Sequence, residues 1–212
     1  MKIVLFDMMD TLIREPYFAA VRRLLPGPLT PETYFRWRDR DAHFAFERGE
    51  VTEPEHFRSF YLPGTPPELL EQFPRPERVK KELLRSLRYF DGIPELLVEL
   101  YRRPDVRTGV ASNYSVWYQQ MLPRLREIRE QMDYYFYSCE MGVRKPDPGY
   151  YQMIAAGLQS DFPDLRPEQI FFTDDRPENT AAASALGWRV HVMTGDTPVL
   201  RNAIEAFLAD GD

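Results

Sequence analysis

Ile3 to Phe6 is an unbroken apolar run that stops on Asp7. A strand with no polar position to turn toward water belongs in a sheet covered on both faces, and such sheets are parallel with helices on either side. Four later segments read as strands: Arg107–Ala111, Tyr134–Tyr137, Gln169–Phe172 and Arg189–Val192. Helical segments separate them. Pro94–Tyr101 carries Leu96, Leu97 and Leu100, and Val116–Glu130 and Pro148–Leu158 follow. Asn179–Leu186 ends at Gly187, a C-cap residue, and Pro198–Leu208 follows Thr197, an N-cap residue with Pro at the first helical position. This alternation predicts an α/β fold with a doubly wound parallel sheet.

Residues 15–89 break the pattern. They hold ten of the 19 prolines and no strong strand. Short helices are expected at Tyr17–Leu25, Pro31–Glu47, Glu53–Phe60, Pro67–Gln72 and Pro76–Leu87, with prolines at the joins. The expected organisation is therefore a sheet domain, 1–14 and 90–212, with a helical domain, 15–89, inserted after the first strand. The lone Cys139 excludes an internal disulfide framework, and three scattered histidines (His43, His56, His191) argue against a histidine metal cluster. A net charge of −6 gives no general attraction to nucleic acid or to an anionic membrane. No apolar run approaches the ~18 residues of a membrane span. Met1–Phe6 meets an Asp at once and lacks a small-residue cleavage site, so the expectation is a cytoplasmic protein.

In an open parallel sheet, ligands bind beyond the carboxyl ends of the strands. The residues just after each strand therefore matter most. They are Asp7, Met9, Asp10 and Thr11, then Ser112 and Asn113, then Arg144-Lys145-Pro146-Asp147, then Asp174-Asp175 with Arg176 to Asn179. Carboxylates from two loops suit Mg²⁺, a hard cation that takes oxygen ligands. A lysine and a hydroxyl suit phosphoryl oxygens. With charge repulsion offset by the metal, Asp7 could attack phosphorus and form an aspartyl-phosphate.

The segments Phe6–Leu12, Ala111–Asn113, Gly142–Pro148 and Phe172–Asn179 resemble, in order, the four motifs of the haloacid dehalogenase (HAD) superfamily. The resemblance covers the sheet domain, and residues 15–89 match the family's helical cap in position and length. It implies a Rossmann-like sheet closed by an α-helical cap. It implies a hydrolase acting on a small phosphorylated metabolite, with Mg²⁺ as cofactor. Residue by residue, it makes Asp7 the nucleophile and a metal ligand. Ser112, Asn113 and Lys145 become catalytic and phosphate-binding residues. Asp174 and Asp175 complete the metal site, with Asn179 orienting them and the backbone carbonyl of Met9 available as a further ligand.

The first motif departs from the family pattern. The position two after the nucleophile normally carries the Asp that protonates the leaving oxygen and then activates water. Here it is Met9, which can do neither. A positioned acid–base is typically worth about 10²–10⁴-fold. Asp10, one residue on, is a possible substitute and can take the left-handed backbone that the family's Gly would use. Loss of this Asp motivates a second reading, a protein that binds phosphate or a partner with little turnover. Metal-free dehalogenation is a third, and it is disfavoured because Asp174 and Asp175 would repel without a cation. Outside the motifs, Tyr34, Phe35, Trp37, Phe44 and Phe46 read as core of the inserted segment. His43 and His56 read as surface or satisfied residues, and Arg36, Arg38, Arg40 and Arg48 as a solvated face with one arginine free to reach a substrate's anionic end.

Overall fold

A computed structural model describes residues 1–210. Five parallel strands form one sheet: β1 (Lys2–Phe6), β2 (Val106–Ser112), β3 (Tyr134–Tyr137), β4 (Ile170–Asp174) and β5 (Arg189–Val192), in the order β3-β2-β1-β4-β5. The order reverses at β1, which pairs with β2 on one side and β4 on the other. The crevice beyond β1 is therefore the topological switch point at which open α/β sheets bind ligands.

Strand alternation divides the apolar residues of β1 between two cores. Val4 and Phe6 join Leu96, Leu100, Ile128, Ile204 and Phe207 on one face. Ile3 and Leu5 join Tyr150, Tyr151, Ile154, Leu158 and Trp188 on the other. The unbroken run at the start of the chain is thus buried on both sides, as a strand without a polar face must be.

Between β1 and the rest of the sheet come six helices: α1 (Pro16–Leu24), α2 (Pro31–Arg36), α3 (Arg40–Glu47), α4 (Glu53–Arg58), α5 (Pro67–Leu70) and α6 (Pro76–Arg85). Each has Pro at its first or second position except α3, whose N-cap Asp39 accepts from Ala42 N–H at 2.9 Å. That cap, after Trp37 leaves helical geometry as the C-cap of α2, divides the expected single helix Pro31–Glu47 in two. These helices keep a core of their own: Val21, Tyr34, Phe60, Phe73 and Val79. The chain enters and leaves the insertion side by side. Arg14 N–H donates to Arg88 C=O at 2.9 Å, Phe90 N–H to Leu12 C=O at 3.1 Å, and Ile13 bridges Tyr89.

The remaining helices flank the sheet: α7 (Ile93–Tyr101), α8 (Tyr118–Met121), α9 (Arg126–Gln131), α10 (Ser138–Met141), α11 (Pro148–Asp161), α12 (Pro177–Ser184) and α13 (Thr197–Ala209). Two expectations need correction. The segment Val116–Glu130 is not one helix. A 3-10 turn at Leu122–Arg124 and a non-helical Leu125 part α8 from α9, because Pro123 cannot continue the hydrogen-bond ladder. Thr197 is not the N-cap of α13; Asp196 is, accepting from Val199 N–H at 3.1 Å. Gly187 does adopt the left-handed conformation expected after α12, with φ +87°. No helix among the described residues is long and apolar enough to cross a membrane.

Candidate active site

Four loops meet at the carboxyl end of the sheet. The β1 ladder runs one residue past the strand, since Asp7 N–H donates to Thr173 C=O at 2.8 Å. Asp174 is fixed in the same way, its carbonyl accepting from Met193 N–H at 3.0 Å. Main-chain pairing therefore sets where both carboxylates point.

Lys145 lies between them, only 1% exposed. Its ammonium donates to Asp7 Oδ1 at 2.8 Å, to Asp174 Oδ2 at 2.5 Å and to Ala111 C=O at 2.7 Å, so all three donors are used. Burial works against its charge, but Asp7 and Asp174 outweigh burial and hold the lysine pKa above its ordinary value. Asn113 fixes the Lys145 backbone from both ends of its amide. Nδ2 donates to Lys145 C=O at 2.9 Å, and Oδ1 accepts from Lys145 N–H at 2.8 Å. The geometry gives the Asn113 side chain a positioning role.

The two adjacent acids differ. Asp174 is fully buried and satisfied by Lys145, by Arg176 N–H at 2.9 Å and by Asn179 Nδ2, which lies 3.0 Å from each of its oxygens. Asp175 is half-buried, with no hydrogen bond to its carboxylate among the described residues. Burial, then the neighbouring Asp174, pushes Asp175 up to about 6. Burial also raises Asp7, with Lys145 opposing and Asp174 adding to the rise.

Asp7, Asp174 and Asp175 each bring a carboxylate oxygen within 4.8 Å of the others. Three carboxylates face one buried ammonium, which leaves about two negative charges uncompensated. A divalent cation with oxygen preference matches that deficit. Ser112 Oγ adds a polar group to the same site. It is buried at the cavity wall with no hydrogen-bond partner among the described residues, and so is the hydroxyl of Tyr114. Buried hydroxyls normally find a partner.

Above this floor opens a cavity of about 540 Å³. Its far wall comes from the inserted helices. Phe35, Phe44 and Phe46 line it, so part of the aromatic group read as core faces the ligand space. Tyr34 is buried in the insertion core as expected. Arg38 is not solvated: it is buried, bonded to Tyr17 Oη at 2.8 Å and to Phe60 C=O, with its guanidinium stacked over Phe60. Arg40 reaches the cavity with Arg38. His56 is buried and stacked on Phe46, and burial lowers its pKa to about 3, so it stays neutral. Met9 lines the cavity, and Asp10 takes the left-handed conformation with φ +50°. Sequence reasoning missed Glu15 and Tyr114, which line the same cavity, while Arg176, named in the loop after β4, lines it too. Only the proximity of Glu15 and Tyr114 to motif residues could have signalled them.

The inserted helices meet the sheet side at several points: Trp117 Nε1 donates to Glu53 Oε1 at 2.5 Å, the Trp117 ring packs on Phe46, and an ion pair adds to these. Arg144 Nε and Nη2 reach Glu47 Oε2 at 3.0 and 2.9 Å, while Ser138 Oγ donates to Glu47 C=O at 2.6 Å. Burial would raise the Glu47 carboxyl, but His43 and Arg144 together hold it below its ordinary range. Gly49 sits so close that an added Cβ would lie 2.2 Å from Cys139 C=O, and its φ is +70°. Arg144→Ala would leave Glu47 buried with one partner fewer. It is expected to cost about 1–3 kcal/mol, read from urea denaturation.

Residues 1–187 match the model of the haloacid dehalogenase-like hydrolases, and the chain belongs to that family. It is an enzyme of the hydrolase class. Among its relatives is flavin mononucleotide hydrolase 1 of Arabidopsis thaliana, a chloroplast protein, 30% identical over 185 residues that cover 87% of this chain and 69% of that one. A HAD-like hydrolase structure from Porphyromonas gingivalis superposes with a TM-score of 0.70 at 23% identity, over 100% of this chain and 99% of that one. A HAD-family enzyme of Bacteroides thetaiotaomicron, crystallised with magnesium and inorganic phosphate, gives a TM-score of 0.69 at 19% identity, over 94% and 98%.

Proposed function

We propose that the chain is a Mg²⁺-dependent phosphatase that hydrolyses a small phosphorylated metabolite through an aspartyl-phosphate on Asp7. One observation carries this reading: a buried Asp7–Lys145–Asp174 constellation shares a cavity with the partnerless Ser112 hydroxyl and the unbonded Asp175. Lys145 holds Asp7 and neutralises charge beside it. Ser112 Oγ donates to a phosphoryl oxygen. Asp7, Asp175, Asp174 and the Met9 carbonyl are the groups that would hold Mg²⁺, which supplies positive charge against the phosphoryl oxygens. The inserted helices act as a cap, 15–89, over a core of 1–14 and 90–212. They exclude water and select the substrate.

A flavin mononucleotide-sized ester suits the aromatic wall, and the Arabidopsis relative supports trying it first. The test is phosphate release from flavin mononucleotide, an aryl phosphate and an alkyl phosphate, each with Mg²⁺ and with chelator. Release from any ester that chelator stops supports the reading, and release indifferent to chelator removes the metal from it. Met9 favours a second reading, phosphate binding with slow turnover, and a wild-type rate in the ordinary enzymatic range on the alkyl ester would end that one.

Metal binding should also show in stability. Asp175 has a folded pKa of about 6 against an ordinary 3.8. Between these values the folded chain holds more protons than the unfolded one, so metal-free stability falls as pH rises through that window. Mg²⁺ competes with those protons. At about 100 times its dissociation constant it adds about 2.7 kcal/mol, or about 5–10 °C in Tm. The shift is expected to be larger near pH 8 than near pH 5, as read by scanning calorimetry.

A further inference from the structure

We propose that Glu15, where the chain leaves the nucleophile loop for the inserted helices, is the proton-transfer residue of this site and takes the role that Met9 cannot fill. The inference rests on the phosphatase reading. Glu15 lines the same cavity as Asp7, Ser112 and Lys145. Its Oε1 accepts from Tyr17 N–H at 2.8 Å and caps α1, which leaves Oε2 without a hydrogen bond among the described residues. Its own N–H donates to Asp10 Oδ1 at 2.8 Å. That bond ties the Asp10 carboxylate into the turn and anchors Glu15 to the nucleophile loop at once.

The charged and titratable groups around Glu15 are Asp10 and Asp7 from the nucleophile loop, Arg176 from the loop after β4, and Tyr114 from the loop after β2. Burial pushes its carboxyl up to about 7; Tyr17 N–H and Arg176 oppose this, and Asp10 and Asp7 reinforce it. A carboxyl in that range gives and takes a proton with near-equal ease at neutral pH. Helix capping accounts for one of its oxygens and leaves the other for chemistry.

The steps balance. An Asp7 oxygen attacks phosphorus as the bond to the leaving oxygen breaks, and the Glu15 proton passes to that oxygen and releases an alcohol. Glu15, now a carboxylate, takes a proton from water whose oxygen attacks the aspartyl-phosphate. The phosphorus–Asp7 bond breaks, inorganic phosphate leaves, and Glu15 is protonated again.

Glu15→Gln separates capping from chemistry, since its amide oxygen still accepts from Tyr17 N–H but its amide transfers no proton. With Mg²⁺ present, alkyl-phosphate turnover is expected to fall by about 10²-fold or more. An aryl phosphate, whose phenolate departs without a proton, is expected to give a burst of one phenolate per chain and then stall, with the phosphoryl group retained on Asp7 and visible by intact mass. Glu15→Asp is expected to restore part of the second step. Wild-type turnover of both esters by Glu15→Gln would overturn the assignment, as would burst and trapping in Asp10→Asn instead. A wild type inert on both esters, or an Asp7→Asn variant as active as wild type, would remove the phosphatase reading itself and this assignment with it.

Discussion

Asp7→Asn is expected to abolish phosphate release, by about 10⁴-fold or more, on every ester the wild type accepts. The side chain keeps its shape and loses its nucleophilic oxygen pair. Asp174, the other carboxylate beside Lys145, is already held by Lys145, Asn179 and the Arg176 N–H. Folding should not suffer. Burial already disfavours the Asp7 charge, so a neutral amide relieves that cost while Asp174 still pairs with Lys145. The expected pattern is an inactive variant with a metal-free Tm no lower than wild type, and a smaller Tm gain from Mg²⁺. Activity within tenfold of wild type would exclude Asp7 as nucleophile. A collapse in Tm would show that the loss measures folding.

Lys145→Met carries the largest expected effect on stability. Methionine has a similar length and no charge, so shape is nearly conserved. What disappears is the one ammonium facing Asp7 and Asp174, both buried. Removing one partner of such a group strands the others, at about 3–5 kcal/mol. The chain should lose that amount in guanidinium denaturation near neutral pH. Asp174→Asn in the same chain should return part of the loss, because it removes one stranded charge. A change below about 1 kcal/mol in the single variant would mean that the buried cluster does not hold together in solution.

Much of this site was legible in the sequence, for a physical reason. A parallel strand buried on both faces has to be apolar, so the first polar residue after it marks the strand's end. Asp7, Ser112 and Asp174 all stand at such ends, and Lys145 follows within a recognisable loop. The sheet order then brings these ends together without any information from side chains. The opposite wall was not legible. Phe44 and Arg38 occupy positions that helical spacing alone assigns to core or solvent; Phe44 meets Arg144 of the sheet side at the cavity, and Arg38 is buried by Tyr17 and Phe60 within the inserted helices. Glu15 was hidden because it belongs to no motif; its place follows from the turn set by the left-handed Asp10. Helix breaks at Leu125 and at Trp37 were hidden because propensity weakly resists a local cap or proline.

The paired crossing at Ile13 and Tyr89 bears on how such a chain changes over time. The excursion into the six helices begins and ends a hydrogen bond apart, and those helices bury one apolar cluster of their own while Ala20, Phe46, Leu83 and Leu84 join the core on the sheet side. A different set of helices could be grafted between the same two residues if it covered Met8, Leu12 and Trp117 as these do. Substrate range can therefore be rewritten as a cassette while the loops that hold Asp7, Lys145 and Asp174 stay untouched. Glu15 lies inside the graft, so any replacement segment would have to bring a proton carrier of its own.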